Sequence, residues 1–487
     1  MLMYLQDSGF KYELEKLTRL FLPFETIKFS NADDELENSD EYIKIYSKEK
    51  LLVELKIDSK IEKREEELTD DGFIAVELRL ALMLFDCFEK LTGYCPPWGI
   101  LTGIRPAKLI GKLISQGTEQ SAVDCFNNIF LVDPKKTNLC LECNRTEKQI
   151  ISYSKPESFS LYISVPFCPS RCNYCSFVSH SVEQAKKLIP QYIELLCKEI
   201  KLTSQIVNRI GLKLQTIYIG GGTPTTLSAE QLTRVMNTVK DSFDFSFLSE
   251  YTVEAGRPDT VTREKLLAIK IGGATRISIN PQTMNDGILQ KIGRRHTVSE
   301  MIDAFSLARK CGFDNINTDL IAGLSGDSYE SFCNSVDKII KLNPENVTVH
   351  TLSMKRASNL TKSHTIFDVD EGIKAGKMVD YALEKLTENG IKPYYMYRQS
   401  KTVGNLENVG YAKKGYEGLY NVYIMDETHT ILACGASAVT KLREPMGEKI
   451  ERIFNYKYPY EYINLFDSII ERKNFITEFY SKYPISR

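Results

Sequence analysis

From Leu161 to about residue 350 the chain repeats one unit, a short apolar run followed by a longer amphipathic stretch, and that repeat leaves few folds open. The runs predict strands over residues 161–165, 216–219, 251–254, 276–280, 315–321 and 346–350. Apolar residues at helical spacing predict helices over 183–206, 229–243, 298–311 and 329–340. Six strand-helix units imply parallel strands joined by right-handed crossovers, an α/β sheet. In such sheets ligands sit at the carboxyl ends of the strands. Cys168, Cys172, Cys175, the triple glycine at 220–222, Glu254, Gln282 and Asp319 all fall there.

The flanks have a different pattern. Tyr42-Ile-Lys-Ile-Tyr46 and residues 51–57 predict a half-exposed hairpin around a polar turn at 47–50. A helix is predicted over 73–91, closed by Gly93 and Pro96-Pro97, with others over 106–115 and 146–152. Residues 152–160, Ser-rich with Lys155-Pro156, suit a linker. After a helix over 371–389, strands are predicted over 394–398, 420–425 and 430–434, and residues 456–487 are partly helical. The expected division is an N-terminal α+β domain at 1–155, the parallel α/β repeat at 156–390 and a C-terminal strand and helix extension covering the active site at 391–487.

Composition excludes several classes. Lys plus Arg total 62 against 64 Asp plus Glu, so a nucleic acid is not the expected partner. Twelve irregularly spaced cysteines point to a reducing interior rather than a disulfide framework. The start has no basic, apolar leader, and no run of about 18 apolar residues occurs, so a cytoplasmic protein without a membrane span is expected.

Chemistry concentrates in Cys168-Pro-Ser-Arg-Cys172-Asn-Tyr-Cys175, which follows the first strand of the repeat. Zinc prefers four ligands, and no Cys or His pair follows at knuckle spacing. Three thiolates suit a 4Fe–4S cube with one iron left open, and an open iron can chelate a small molecule. Gly220-Gly-Gly-Thr-Pro224 lies between a strand and a helix but lacks the Lys and Ser/Thr ending of a phosphate loop. Asp319 interrupts the apolar run into Leu320-Ile-Ala322, where a buried acid needs a partner. Glu254 reads equally as a ligand-pairing carboxylate or as a strand-end acid on solvent. Cys140-Leu-Glu-Cys143 reads as semi-buried thiols, and His180, His296 and His350 as packing or supporting residues.

The cysteine spacing with Tyr174 resembles the radical S-adenosylmethionine (SAM) superfamily. Residues 162–180, the Gly220–Pro224 loop, Glu254, Asn280-Pro-Gln282, Gly293-Arg-Arg-His296 and Asp319-Leu-Ile-Ala-Gly-Leu324 are similar, in order, to motifs of the oxygen-independent coproporphyrinogen III dehydrogenase family, over about 161–441. The N-terminal domain and Leu101-Thr-Gly-Ile-Arg-Pro-Ala-Lys108 suggest its long clostridial-type subgroup.

The resemblance implies a partial (βα)6 barrel, a 4Fe–4S cluster on Cys168, Cys172 and Cys175, and at least one SAM. It places Gly221, Gly222, Thr223 and Glu254 at the SAM amino group, and Gln282, Arg294 and Asp319 at its ribose and carboxylate. Tyr174 falls over adenine, and Tyr162 near both SAM and substrate; each reads equally as a packing aromatic. Residues 433–439 resemble the region of a second SAM, whose contact residues do not map.

The implied reaction draws an electron from a flavodoxin or ferredoxin type donor. Hydrogen is abstracted from a porphyrinogen propionate, CO2 leaves and a vinyl group remains. Arg105, Lys108 and the catalytic candidate Arg398 are cations suited to propionates, and equally to solvent. Two rivals stay open. A haem chaperone shares Ser179-His180 but carries a late Asn-x-x-Tyr-Trp, absent at Asn421-Val-Tyr-Ile; a radical methyltransferase or ring-opening enzyme acts on haem.

Overall fold

The computed structural model describes residues 1–23, 25–36, 39–69, 72–103, 105–175, 180–353, 369–399 and 401–485. By compactness the chain forms two units, one of Met1–Leu141, Thr365–Gly376 and Arg398–Glu407, the other of Glu142–His364, Lys377–Tyr397 and Asn408–Arg487.

In the first unit, β1 (Leu2–Leu5), β2 (Lys28–Ser30), β3 (Tyr42–Tyr46), β4 (Lys50–Ile57) and β5 (Lys60–Glu67) form a sheet in the order β2-β1-β3-β4-β5. The predicted hairpin is β3 and β4, antiparallel, with Ile43 opposite Leu55. β5 pairs with β4 although Lys-Ile-Glu-Lys-Arg-Glu-Glu-Glu shows no apolar alternation, since a charged edge strand needs only its partner's backbone. The helices Lys11–Phe21 and Phe73–Thr92 bury Leu14, Leu17, Phe21, Leu80, Leu84 and Phe88 in the core of this unit. Gly93, left-handed at φ 65°, ends the second helix.

In the second unit the six predicted strands appear as β6 (Ser158–Val165), β9 (Lys213–Gly221), β10 (Glu250–Glu254), β11 (Arg276–Ser278), β12 (Ile316–Ala322) and β13 (Asn346–Thr351). They lie side by side and parallel in chain order, the partial (βα)6 barrel. Two-residue strands β7 (Phe167–Cys168) and β8 (His180–Ser181) pair beyond the end of β6. β14 (Lys392–Arg398) and β15 (Glu407–Ala412) extend the sheet past β13, and β16 (Thr430–Cys434), β17 (Val439–Arg443) and β18 (Ile450–Phe454) extend it past β6. β16 runs parallel to β6, a seventh parallel strand arriving late in the chain.

The crossover helices start where local chemistry marks them. Ser228 with Gln231, and Thr297 with Glu300, form reciprocal capping boxes for Ala229–Ser242 and Val298–Lys310. Three predictions change. The helix over 183–206 is two, Val182–Ala185 and Ile189–Ile210, because Pro190 suits only a helix start. The helix over 146–152 begins twelve residues earlier, as Pro134–Ile151. Residues 420–425 are not a strand but lie in the helix Leu419–Asp426. Its first N–H groups, from Leu419 and Tyr420, donate to the Glu250 carboxylate at 2.8 and 3.2 Å, an acceptor at a helix start that alternation within 420–425 does not reveal.

Candidate functional site

Burial along the barrel strands locates the site. Between their first residues and their ends, β6 buries all but Tyr162, β9 all but Tyr218 and β12 all but Asp319, while β10 ends on half-buried Glu254 and β13 leaves His350 partly exposed. Tyr162 and Tyr218 are register partners. Their rings stack with Tyr420 from the short helix, with centroids 6.2, 6.4 and 4.6 Å apart for Tyr162–Tyr218, Tyr162–Tyr420 and Tyr218–Tyr420. Solvent-reachable side chains on neighbouring parallel strands are thus aromatic or ionisable, a lining suited to a ligand rather than to a packed core.

The cysteine loop is tied to the carboxyl edge of this barrel. Asn173 N–H donates to the Ile292 carbonyl (3.0 Å), its Nδ2 to the Lys291 carbonyl (2.9 Å) and Ser170 Oγ to the Gly293 carbonyl (3.1 Å). Cys172 is buried, and Cys168 and Cys175 are half-buried. Among the described residues no three His, Cys, Asp or Glu side chains converge on one ion. A cubane does not ask for that, since its cysteines bind separate iron corners. Donors surround the sulfurs: Thr223 Oγ1 lies 3.5 Å from Cys168 Sγ and Arg257 Nη1 3.7 Å from Cys172 Sγ. Residues 176–179, which include Ser179, lie outside the described residues.

The glycine loop supports the cysteine loop by close approach. Gly222 N–H donates to the Val165 carbonyl (2.8 Å) and Thr223 N–H to the Phe167 carbonyl (2.7 Å). A Cβ at Gly222 would stand 2.5 Å from the Phe167 oxygen, and one at Gly220 would stand 2.7 Å from the Tyr218 ring and 3.0 Å from the Glu254 carboxyl carbon. Gly221 has φ +107°. These two N–H groups thus tie the glycine loop to the end of the first barrel strand and to the cysteine loop.

Glu254 Oε1 accepts a 2.5 Å hydrogen bond from Tyr218. Burial pushes its carboxyl up to about 7, against Tyr218, with the Asp319 charge adding to the rise and His350 opposing it. Asp319 Oδ1 accepts from Asn317 Nδ2 at 2.7 Å and Oδ2 lies 3.8 Å from His350 Nε2. Burial pushes this carboxyl up as well, yet His350, Asn317 and Thr348 outweigh it and hold it below its ordinary value. His350 thus supports Asp319 at the edge of the site.

Gln282 has φ +72°; its N–H donates to the Asp319 carbonyl and its carbonyl accepts from Ile321, each at 2.9 Å. Gln282 Oε1 and Asn280 Oδ1 are buried without a partner, acceptors that a bound ligand would satisfy. Arg294 is buried and Arg295 exposed, which separates the two neighbours. Arg294 donates to the Asn280 carbonyl (2.5 Å) and the Tyr174 hydroxyl (3.2 Å). A cleft of about 330 Å³ beside Tyr174 is lined by Asn173, Lys291, Ile292, Leu324, Ser325 and Gly326.

Other candidates lie elsewhere. Arg398, the proposed substrate cation, is 5% exposed; it donates to the carbonyls of Leu101 (2.6 Å), Gly103 (3.4 Å) and Asn405 (3.2 and 3.0 Å) and lies over Trp98. Its guanidinium is committed to carbonyls of two chain segments, around Leu101 and at Asn405, so the reading of Arg398 as a propionate-binding cation is corrected. Arg105 precedes the helix Pro106–Gln116 and Lys108 is exposed on it; Ile104 between Gly103 and Arg105 lies outside the described residues. Within 433–439, Gly435 N–H donates to Glu199 (2.7 Å) and Ala436 N–H to the Tyr192 hydroxyl (2.8 Å). Cys140 and Cys143 are buried on their helix. Sequence reasoning missed Tyr218, Arg257 and Tyr420, whose partners are remote in the chain.

A three-thiol loop on the carboxyl edge of a partial (βα)6 barrel defines a radical SAM protein, and residues 162–339 match the radical SAM superfamily. HemZ of Bacillus subtilis (strain 168), an oxygen-independent coproporphyrinogen-III oxidase-like protein, is 37% identical over 409 residues, 83% of this chain and 81% of that one. The heme chaperone HemW of Lactococcus lactis subsp. lactis (strain IL1403) is 32% identical over 57% of this chain and 69% of its own. Coproporphyrinogen III oxidase HemN from Escherichia coli shares the fold, with TM-score 0.51 and 21% identity over 67% of this chain and 72% of that one. The chain belongs to the radical SAM family that unites oxygen-independent coproporphyrinogen III oxidase-like proteins and heme chaperones.

Membership implies a 4Fe–4S cluster and SAM. The residues fit both groups: three thiols, of which Cys168 faces a hydroxyl donor and Cys172 a guanidinium, and unpartnered amide oxygens on the neighbouring loops. Among the described residues no helix is long and apolar enough to cross a membrane.

Proposed function

We propose that this protein oxidatively decarboxylates propionate side chains of coproporphyrinogen III to vinyl groups, in the cytoplasm, using electrons from a flavodoxin or ferredoxin type donor. The observation that carries this reading is the barrel lining of Tyr162, Tyr218, Glu254, Asp319 and His350 beside the cysteine loop. Cys168, Cys172 and Cys175 hold the cluster, and Thr223 and Arg257 balance thiolate charge. When bound, the cluster with SAM supplies hydrogen-atom abstraction at carbon. Glu254 takes the SAM ammonium, and Gln282, Arg294 and Asp319 orient its remaining polar groups. Tyr174 packs at the adenine, and the Tyr162–Tyr218–Tyr420 stack keeps water from the reacting carbon. As the β hydrogen is removed, CO2 leaves and one further electron passes to an acceptor.

The heme-chaperone relatives motivate a second reading, a haem carrier on the same fold. The enzyme reading is favoured because the late Asn-x-x-Tyr-Trp element is missing and the single Trp, Trp98, is buried and donates its Nε1 to Glu407 (2.7 Å). Anaerobically reconstituted protein with SAM, reductant and coproporphyrinogen III is expected to release CO2 and yield vinyl product by mass spectrometry. Deoxyadenosine without vinyl product, together with tight haem binding, would establish the carrier instead.

A further inference from the structure

Arg257 belongs to no motif singled out in the sequence, yet it is 3% exposed and reaches the deepest of the three cysteines. Its Nη1 donates to Cys172 Sγ at 3.7 Å and to Ser170 Oγ at 3.2 Å. Its other edge makes a bidentate fork on Asp259, Nε to Oδ1 at 3.0 Å and Nη2 to Oδ2 at 2.9 Å. A planar cation held at both edges cannot turn away from the sulfur, so its N–H donor and its charge are fixed at Cys172. Arg294, the neighbouring guanidinium, also bonds Cys172 besides Asn280 and Tyr174, so two cations face this sulfur, and Arg257 is the one held by a carboxylate fork.

Hydrogen bonds to a cluster's sulfurs and positive charge beside it favour the reduced, more negative state, and burial strengthens both effects. We propose that Arg257 is a positioning residue that raises the reduction potential of the cluster on Cys172, and that Asp259 sets the extent by holding and partly neutralising the guanidinium. This rests on the reading that Cys168, Cys172 and Cys175 carry a 4Fe–4S cluster. The pair matters for function because the external donor must deliver one electron to the cluster: too low a potential and the donor fails, too high and the reduced cluster loses driving force.

The test is a redox titration of the anaerobically reconstituted holoprotein, adding dithionite stepwise with mediator dyes and following cluster absorbance and the electron-spin signal of the reduced state. Arg257→Gln is expected to move the midpoint to a lower potential, and Arg257→Lys, which keeps charge but loses the fork, to a value between that variant and the unaltered protein. Asp259→Asn, which leaves the guanidinium charge less compensated, is expected to move it upward. Opposite shifts from two neighbouring residues do not arise from general loosening of the loop. Midpoints that stay unchanged in Arg257→Lys and Asp259→Asn, or that move in the same direction, overturn the proposal; if Arg257→Gln does not fold, these two variants still decide it. Unaltered protein that assembles no cluster refutes the parent reading instead, a separate result.

Discussion

Replacing Tyr218 by Phe removes one hydroxyl and keeps the ring stacked between Tyr162 and Tyr420. That hydroxyl donates to Glu254 Oε1 at 2.5 Å and pulls the carboxyl down against the burial that lifts it to about 7. A hydrogen bond to a charged group contributes about 1.5–3 kcal/mol, and one pKa unit corresponds to about 1.36 kcal/mol. The variant's Glu254 therefore titrates roughly one to two units higher. At pH 7.5 a one-unit rise cuts the carboxylate fraction from about three-quarters to about one-quarter, a threefold loss in pairing with an ammonium ligand. By pH 9 the two proteins converge for such a shift, because both carboxylates are then ionised. The assay is calorimetric binding of SAM to reconstituted protein between pH 6 and 9, read as the ratio of variant to unaltered affinity, which cancels the ligand's own titration. A ratio that does not change with pH refutes the reasoning.

Glu407→Gln removes the carboxylate charge 2.7 Å from the buried Lys136 ammonium and is expected to cost about 1.5–3 kcal/mol in urea unfolding followed by the fluorescence of Trp98. Glu199→Ala removes the acid 3.0 Å from the buried Lys473 ammonium together with the acceptor of Gly435 N–H, the Tyr462 hydroxyl and Asn455 Nδ2, and is expected to cost about 3–5 kcal/mol, read from thermal unfolding. Asp319 has a lowered carboxyl despite burial, so the stability it contributes is present above its ordinary 3.8 and disappears as pH falls through its folded value. Asp319→Asn is therefore expected to flatten the acid limb of the stability profile measured by denaturant midpoints. Gly222→Ala puts a methyl 2.5 Å from the Phe167 oxygen, and iron analysis after reconstitution is expected to find well below the unaltered content.

What the sequence determined by itself was the repeat and its edge. Alternating apolar strands and amphipathic helices specify parallel pairing because few arrangements bury both, and Ser228 and Thr297 mark helix starts through bonds made within four residues. Cys168, Cys172 and Cys175 were legible for the same reason: their spacing lies within one loop. Tertiary structure decided whatever depends on partners far along the chain. The helix Leu419–Asp426 starts on Glu250, from a strand 169 residues earlier, so its own residues read as a strand. Tyr218 acquires meaning only from Glu254 and Tyr420, and Arg257 only from Cys172. Arg398 looked like a substrate cation until three carbonyls took its donors. Local bonds and periodicity are written in neighbouring letters, whereas hydrogen-bond partners across the barrel exist only once the sheet has closed around them.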